Sequence, residues 1–589
     1  MHLPPAAVVA ATTAAAVLIA VLVPRLRRLR WVAGAAVVGL LAGFGAATAL
    51  GSLGPWRAVA NAAVVLLVAT GGVVFTRADG RREVRALRSR LLFGVPWGTL
   101  VVAAGVVAFY LFVQFGRGGS PLVVPFVSWS YFYPLGVLAS PLAHAGLGHV
   151  TGNVIGTLAL APIAEYAFSH YPTDRGSSSF ASWRSNPYVR ALVLFPLGVL
   201  LVAQLTGVFS WGATIGFSGV VYAFAGFALV KYPLATVVAV TGRDVISVLW
   251  RTLGDPVTFA SASPSFGPPW WAGIAVQGHL FGFLVGAVLS AALLARRGER
   301  PNAARVWVGS VVLATSMSLW AVWWYGQSAE FVLFRAGGVL LVVVLAVVLA
   351  AVAGADDRTL VGNLSGRQVA SLALLLPVVT MCVVAVPVNL TTVSEADLPG
   401  EPVAVDGYEV TYAENVTNER VGAVSIPYFE QATNVSASGV VVANAERSLW
   451  TEQVSAGELA FYGDAAVTVG GLGWKETVWV HRRGWVTDGG GAVYNVYLDP
   501  PEDDWRHAFA SASATADPVL DGQRVRLDAA GGAFGVEVVE NGTVVGTVGI
   551  PAENETATAG TLTFRRNASR LVASHENTTV TVAREETYE

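Results

Sequence analysis

Apolar runs of about 20 residues recur along the first two thirds of this chain, and no other feature constrains it as much. A hydrocarbon core of about 30 Å is crossed by roughly 20 helical residues. In lipid a backbone must satisfy its own hydrogen bonds, so such runs fold as helices. Twelve spans are predicted, near 5–23, 31–50, 58–76, 91–114, 145–168, 191–209, 216–233, 234–253, 271–295, 305–325, 331–353 and 368–388. The composition agrees: 54% of the 589 residues are hydrophobic and 13% are charged, against about 25% charged in soluble domains. A disordered chain, a fibrous chain and a purely soluble enzyme are excluded.

Loop charge orients the spans. Arg25, Arg27, Arg28 and Arg30 follow the first, and Arg77, Arg81, Arg82, Arg85, Arg88 and Arg90 the third. Arg175, Arg184 and Arg190 follow the fifth, and Arg296, Arg297 and Arg300 the ninth. Bases gather in cytoplasmic loops, so these loops are read as cytoplasmic and both termini as extracytoplasmic. The apolar stretch Pro5 to Val23 has its arginines after it, not before it, and is read as a retained span instead of a signal peptide. The eighth span is irregular, because Arg243 and Asp244 lie inside it. Either they pair or the span is displaced toward residue 260.

After Val388 the pattern changes. Residues 389–589 hold 29 Asp and Glu against 12 Lys and Arg, a net of −17; the preceding residues hold 10 against 25, a net of +15. The acidic sign argues against nucleic-acid binding. Only Lys231 and Lys475 are lysines, a composition resembling that of salt-adapted proteins. Apolar and polar residues alternate at 493–498 and 536–540, and Asp406-Gly407, Asp488-Gly489, Asp521-Gly522 and Asn541-Gly542 punctuate the tail. This predicts an all-β, sandwich-like extracytoplasmic domain. Seven Asn-x-Ser/Thr sequons, at Asn389, Asn415, Asn434, Asn541, Asn554, Asn567 and Asn577, suit an external location. The lone Cys382 excludes an intrachain disulfide, cysteine-rich metal sites and cysteine catalysis.

Polar residues within a membrane bundle are expensive and therefore functional candidates. His149 and Asn153 are four apart, on one helix face, five residues after His144. Together they can present two N–H donors to one point, as an oxyanion hole requires; the alternative is hydrogen bonding to neighbouring helices. Gly216-Phe217-Ser218-Gly219, followed by Tyr222, places a serine between glycines at a helix start; alone, such a motif serves helix packing. His279 begins a span, with Gly282 and Gly286 forming a small-residue face that admits a close partner helix. Histidine is the usual base for a serine nucleophile. His144, His149 and His279 could be imagined as a zinc set, but the spacing carries no metal signature; no metal and no cofactor is expected.

Taken jointly, these clusters resemble the rhomboid family of intramembrane serine proteases. His144, His149, Asn153, Ser218 and His279 match the family's order and local spacings, with Gly216, Gly219, Tyr222, Gly282 and Gly286 in register. The resemblance covers about 91–296. It implies a six-helix core and a Ser–His dyad, Ser218 as nucleophile and His279 as base. His149, Asn153 and the Ser218 N–H would hold the oxyanion. It also implies transmembrane protein substrates, cut near the outer ends of their membrane helices. Where the family often shows Trp-Arg in its first loop, this chain has Trp129-Ser130-Tyr131-Phe132. The expected organisation is a three-helix extension (1–90), a rhomboid-like core (91–296), three further helices (297–388) and the acidic β domain (389–589). The aromatic stretch Phe266 to Trp271 reads as an interfacial belt, with a gating cap as the alternative. The rival function is a non-proteolytic rhomboid-like protein that binds membrane clients. A transporter lacks support, since no inverted repeat is visible.

Overall fold

The computed structural model describes residues 30–49, 54–55, 58–59, 61–62, 66, 80–171, 177–254, 264–325, 331–393, 398–417, 420–422, 436–501 and 504–589. The predicted span 5–23, most of span 58–76, the loop arginines before Arg30, Arg77, Arg175 and the sequon at Asn434 lie outside these residues.

Helices run in the order α1 (Arg30–Ala49), α2 (Gly80–Arg90), α3 (Trp97–Val113), α4 (Pro134–Ala139), α5 (Leu147–Phe168), α6 (Pro187–Val208) and α7 (Ser218–Lys231). They continue with α8 (Pro233–Gly254), α9 (Val276–Arg297), α10 (Ala303–Ser316), α11 (Arg335–Gly354) and α12 (Gly366–Asn389). Five of them, α5, α6, α9, α11 and α12, are long and apolar enough to cross a membrane, and α3, α7 and α10 are shorter apolar helices. Arg243 and Asp244 of α8 pair with each other at 3.0 Å, so the eighth segment holds its position without isolated charge.

One span changes. Span 305–325 is a shorter helix: α10 stops at Ser316, Ser318 adopts φ +59°, and Trp323–Tyr325 then pairs antiparallel with Phe331–Leu333. Two tryptophans of this run pack on rings distant in sequence. Trp320 meets Trp270, and Trp323 meets Trp271. The stretch Phe266 to Trp271 is thus docked on protein through these rings, although Trp270 stays 68% exposed.

The core of the bundle is α7 against α9. A Cβ on Gly282 would lie 2.0 Å from the Gly219 carbonyl oxygen, and one on Gly286 equally close to that of Ala223. A Cβ on Gly226 would lie 2.0 Å from the Phe283 oxygen. The small-residue face therefore brings two backbones into direct contact. A buried carboxylate, Glu165, fastens α3 to α5. It accepts from the N–H groups of Gly98 and Thr99 at 2.9 and 2.7 Å and lies 2.8 Å from His170. These are the free N–H groups of the first turn of α3, which favour negative charge. At the same end Arg297 donates to the carbonyls of Ala167 and Phe168, both at 2.7 Å, neutralising the C-terminus of α5.

The C-terminal part is all β apart from the short helix α13 (Ala456–Tyr462). A curled eight-stranded sheet runs in the order Arg506–Ala510, Ala492–Asp499, Trp474–Thr487, Thr578–Glu585, Arg570–His575, Leu562–Asn567, Thr556–Ala559, with Asp464–Gly471 also paired to Trp474–Thr487. It faces two four-stranded sheets and so encloses two cores where one sandwich was expected. Val478 and Val480 pack with Val410 and Val442 in the first core. Trp485 of the same strand packs with Val525 and Val536 in the second. Three of the predicted turns are two-residue hairpin corners with positive φ at both positions: 42° and 82° at Asp406-Gly407, 49° and 73° at Asp521-Gly522, 49° and 83° at Asn541-Gly542. That geometry matches the twist of the flanking strands and favours Asx-Gly.

The first β core continues into the helical part. Val124, Val127 and Trp129, from the loop between α3 and α4, are buried in it. Lys475 Nζ donates to the Ser120 carbonyl at 2.6 Å. Phe266 packs against Phe461 of α13. The β domain therefore sits on the end of the bundle where α5, α7 and α9 begin.

Candidate active site

Three helix starts converge at that end. Ser218 is the first residue of α7, His279 lies in the first turn of α9, and His149 and Asn153 lie in the first two turns of α5. His279 Nε2 is 2.8 Å from Ser218 Oγ. The imidazole lies flat on the Tyr222 ring, with centroids 4.2 Å apart and planes 10° apart. The Tyr222 hydroxyl donates to the carbonyl of Met317, beyond α10. Nδ1 of His279 is buried without a hydrogen-bond partner among the described residues. The ring is thus oriented by stacking, where many hydrolases use a third, acidic group.

Gly216 joins the oxyanion candidates to the serine. Its φ is +127°, and a Cβ there would fall 2.6 Å from His149 Cε1, 2.7 Å from His149 Nε2 and 3.7 Å from Asn153 Nδ2. Both the backbone angle and the space demand glycine. The N–H of Ala145 approaches His149 Nδ1 at 3.4 Å. With Nδ1 as acceptor the ring proton sits on Nε2, the nitrogen facing Gly216. Asn153 Nδ2 is buried with no partner among the described residues. His149 Nε2 and Asn153 Nδ2 thus both border Gly216, two residues before Ser218, and the amide donor is unpartnered among the described residues.

His144 is wholly buried and packs edge-on against His149, with ring centroids 5.0 Å apart. Burial, and then the neighbouring His149, push its pKa down to about 3. It is a neutral packing group that steadies His149. Gly219 lies close to Thr206, its would-be Cβ 3.1 Å from the threonine Cβ. Beside the serine is a cleft of about 30 Å³ whose walls include Ser140, Thr206, Ser210, Thr214, Ser218 and His279. That is room for water but not for a peptide.

Eight of the ten residues singled out in the sequence therefore meet at one end of the bundle, and Gly282 and Gly286 hold α9 against α7 behind them. Others were not singled out. Glu165 carried a signal, since it is a carboxylate inside an apolar run. Gln114, which donates to the carbonyls of Leu122 and His144 and accepts from the His144 N–H, carried none. Among the described residues no cluster of His, Cys, Asp or Glu could hold a metal ion.

A polytopic membrane bundle with a serine–histidine pair at one helix end is the class this fold and site define. Residues 133–296 match the family model of the rhomboid domain. This stretch is thus a rhomboid domain within a longer chain; the rhomboid family is in general one of intramembrane serine proteases and includes non-proteolytic proteins. Neither a curated relative nor a solved structure shows significant similarity to the chain. The match contains every residue named above from His144 to Gly286. It leaves out α3, most of the first loop, and everything after Arg296.

Proposed function

We propose that this protein is an intramembrane serine endopeptidase that cuts membrane-anchored proteins near the outer end of their transmembrane segment. The carrying observation is the 2.8 Å contact between Ser218 Oγ and His279 Nε2, with His149 and Asn153 bordering Gly216 beside it. Ser218 Oγ attacks the scissile carbonyl as His279 takes its proton. The oxyanion is met by the Ser218 N–H, His149 Nε2–H and Asn153 Nδ2–H. His279 then gives the proton to the departing amine, leaving an acyl-enzyme on Ser218. Water, deprotonated by the same histidine, releases the second product. Substrates must unwind at the cut, which favours helices interrupted by Gly or Pro.

The site end is read as extracytoplasmic, because Arg90, Arg190, Arg296 and Arg297 lie at the other end. The acidic β domain then stands outside the cell membrane over the site, as an external module through which substrates pass. Protease shaving of intact cells is expected to release its fragments; full protection would overturn this topology. The rival, a client-binding protein without activity, has no use for an intact Ser–His contact.

The test is cleavage of a co-expressed transmembrane reporter. Ser218→Ala is expected to lower cleavage by a factor of about 10⁶, to abolish labelling by a fluorophosphonate probe, and to leave membrane insertion intact. Wild-type cleavage by the variant would eliminate the proposal.

A further inference from the structure

The link from α6 to α7, Phe209 to Phe217, carries the serine and contains Gly216. Helical hydrogen bonds do not fix its path; the Gly216 N–H donates to the Ser140 carbonyl at 2.9 Å, and further bonds hold the link from three directions. From the first loop, Ser128 Oγ accepts from the Thr214 N–H at 3.0 Å, and the Ser128 N–H donates to the Thr214 carbonyl at 3.1 Å. From the start of α9, two residues before His279, Gln277 accepts from the Trp211 N–H at 3.1 Å and donates to the Phe209 carbonyl at 3.0 Å.

The third direction is Asn389, the last residue of α12 and far outside the rhomboid match of 133–296. Its Nδ2 donates to the Ser210 carbonyl at 2.6 Å, and its Oδ1 accepts from the Gly212 N–H at 3.1 Å. Its own carbonyl accepts from the Tyr131 N–H at 3.0 Å and from Ser130 Oγ at 3.4 Å. The residue is 2% exposed. One buried amide thus clamps both sides of residue 211 and also grips the first loop, at the point where the membrane part passes into the β domain. About two turns earlier in α12, the Met381 carbonyl accepts from Trp211 Nε1 at 3.0 Å.

We infer that Asn389 is a positioning residue of the active site. It sets the path of Ser210 to Gly216, and through that path the placement of the Ser218 N–H against His149 and Asn153. The inference rests on the proteolytic reading. It gives a role to helices that the rhomboid domain itself does not contain: the last of them supplies a clamp on the serine loop. It also bears on the sequon Asn389-Leu390-Thr391. With Nδ2 buried and bonded, this site is closed to a glycan in the folded protein.

Asn389→Asp keeps the shape but turns the donor into an acceptor facing the Ser210 carbonyl. Asn389→Ala removes both bonds without repulsion. Each is assayed in the full-length protein with the transmembrane reporter, with active sites counted by the fluorophosphonate probe. A displaced catalytic loop lowers turnover by up to about 10²-fold. We expect kcat per labelled site to fall about 10- to 100-fold in both variants, with KM within about threefold. If the variants label in smaller amounts but each labelled site turns over at the wild-type rate, Asn389 is merely structural and the inference is overturned. Wild-type kcat in Asn389→Ala overturns it as well. Failure of the proteolytic reading is distinguished by Ser218→Ala, which would then cleave like wild type.

Discussion

The imidazole of His279 lies face to face with the ring of Tyr222, 4.2 Å away and 10° from parallel. With no partner on Nδ1 among the described residues, this face is what holds the ring toward Ser218. Tyr222→Phe keeps the face and loses only the hydrogen bond to Met317, so reporter cleavage should stay within a few-fold of wild type. Tyr222→Ala removes the face and should cost about 10²-fold through misorientation. Equal rates for the two variants would show that stacking does not orient the base.

His149 and Asn153 each present one donor beside Gly216. Loss of one oxyanion donor costs about 10²–10³ in turnover. His149→Ala and Asn153→Ala are therefore expected to slow cleavage by that factor each, with the Ser218 N–H still in place. Full-rate cleavage by both would make them packing residues.

The contact of α7 with α9 predicts a sharp contrast among glycines. At Gly282 and Gly286 a methyl group would press on backbone oxygen at 2.0 Å, whereas at Gly152, inside α5, it would meet nothing within 4 Å. Gly282→Ala and Gly286→Ala should each destabilise by about 3 kcal/mol or more. Gly152→Ala should be neutral or stabilise by up to about 1 kcal/mol. Thermal unfolding in detergent measures this, and tolerance of alanine at Gly282 would contradict the packing.

His144 predicts an acid limb in stability. Burial lowers its pKa from 6.5 to about 3, so between these values the unfolded chain holds a proton that the folded chain does not. Stability therefore falls as pH drops from 6.5 toward 3. His144→Phe fills the buried site without titrating, and the slope of unfolding temperature against pH should flatten. Parallel curves for the two proteins would show that His144 does not contribute.

Hydropathy, turn dipeptides and three short clusters were enough to read most of the described helical segments, the change to β structure after Val388, and the residues that meet at the site. They could be read because each rests on local chemistry. Lipid demands some 20 apolar residues in a row, type I′ corners demand Asx-Gly, and a backbone contact between helices demands glycine. Asp406-Gly407 and Gly282 are legible for that reason. Tertiary structure decided the rest. Span 305–325 ends as helix at Ser316, and Trp320 and Trp323 beyond it meet the rings of Trp270 and Trp271, partners distant in sequence. The tail made two cores because the strand Trp474–Thr487 is long enough to serve both. Asn389 read as a glycosylation sequon, since sequence shows a side chain's type but not its surroundings. Only the folded chain brings its amide to Ser210 and Gly212, nearly 180 positions away, where burial makes a pair of hydrogen bonds into a clamp.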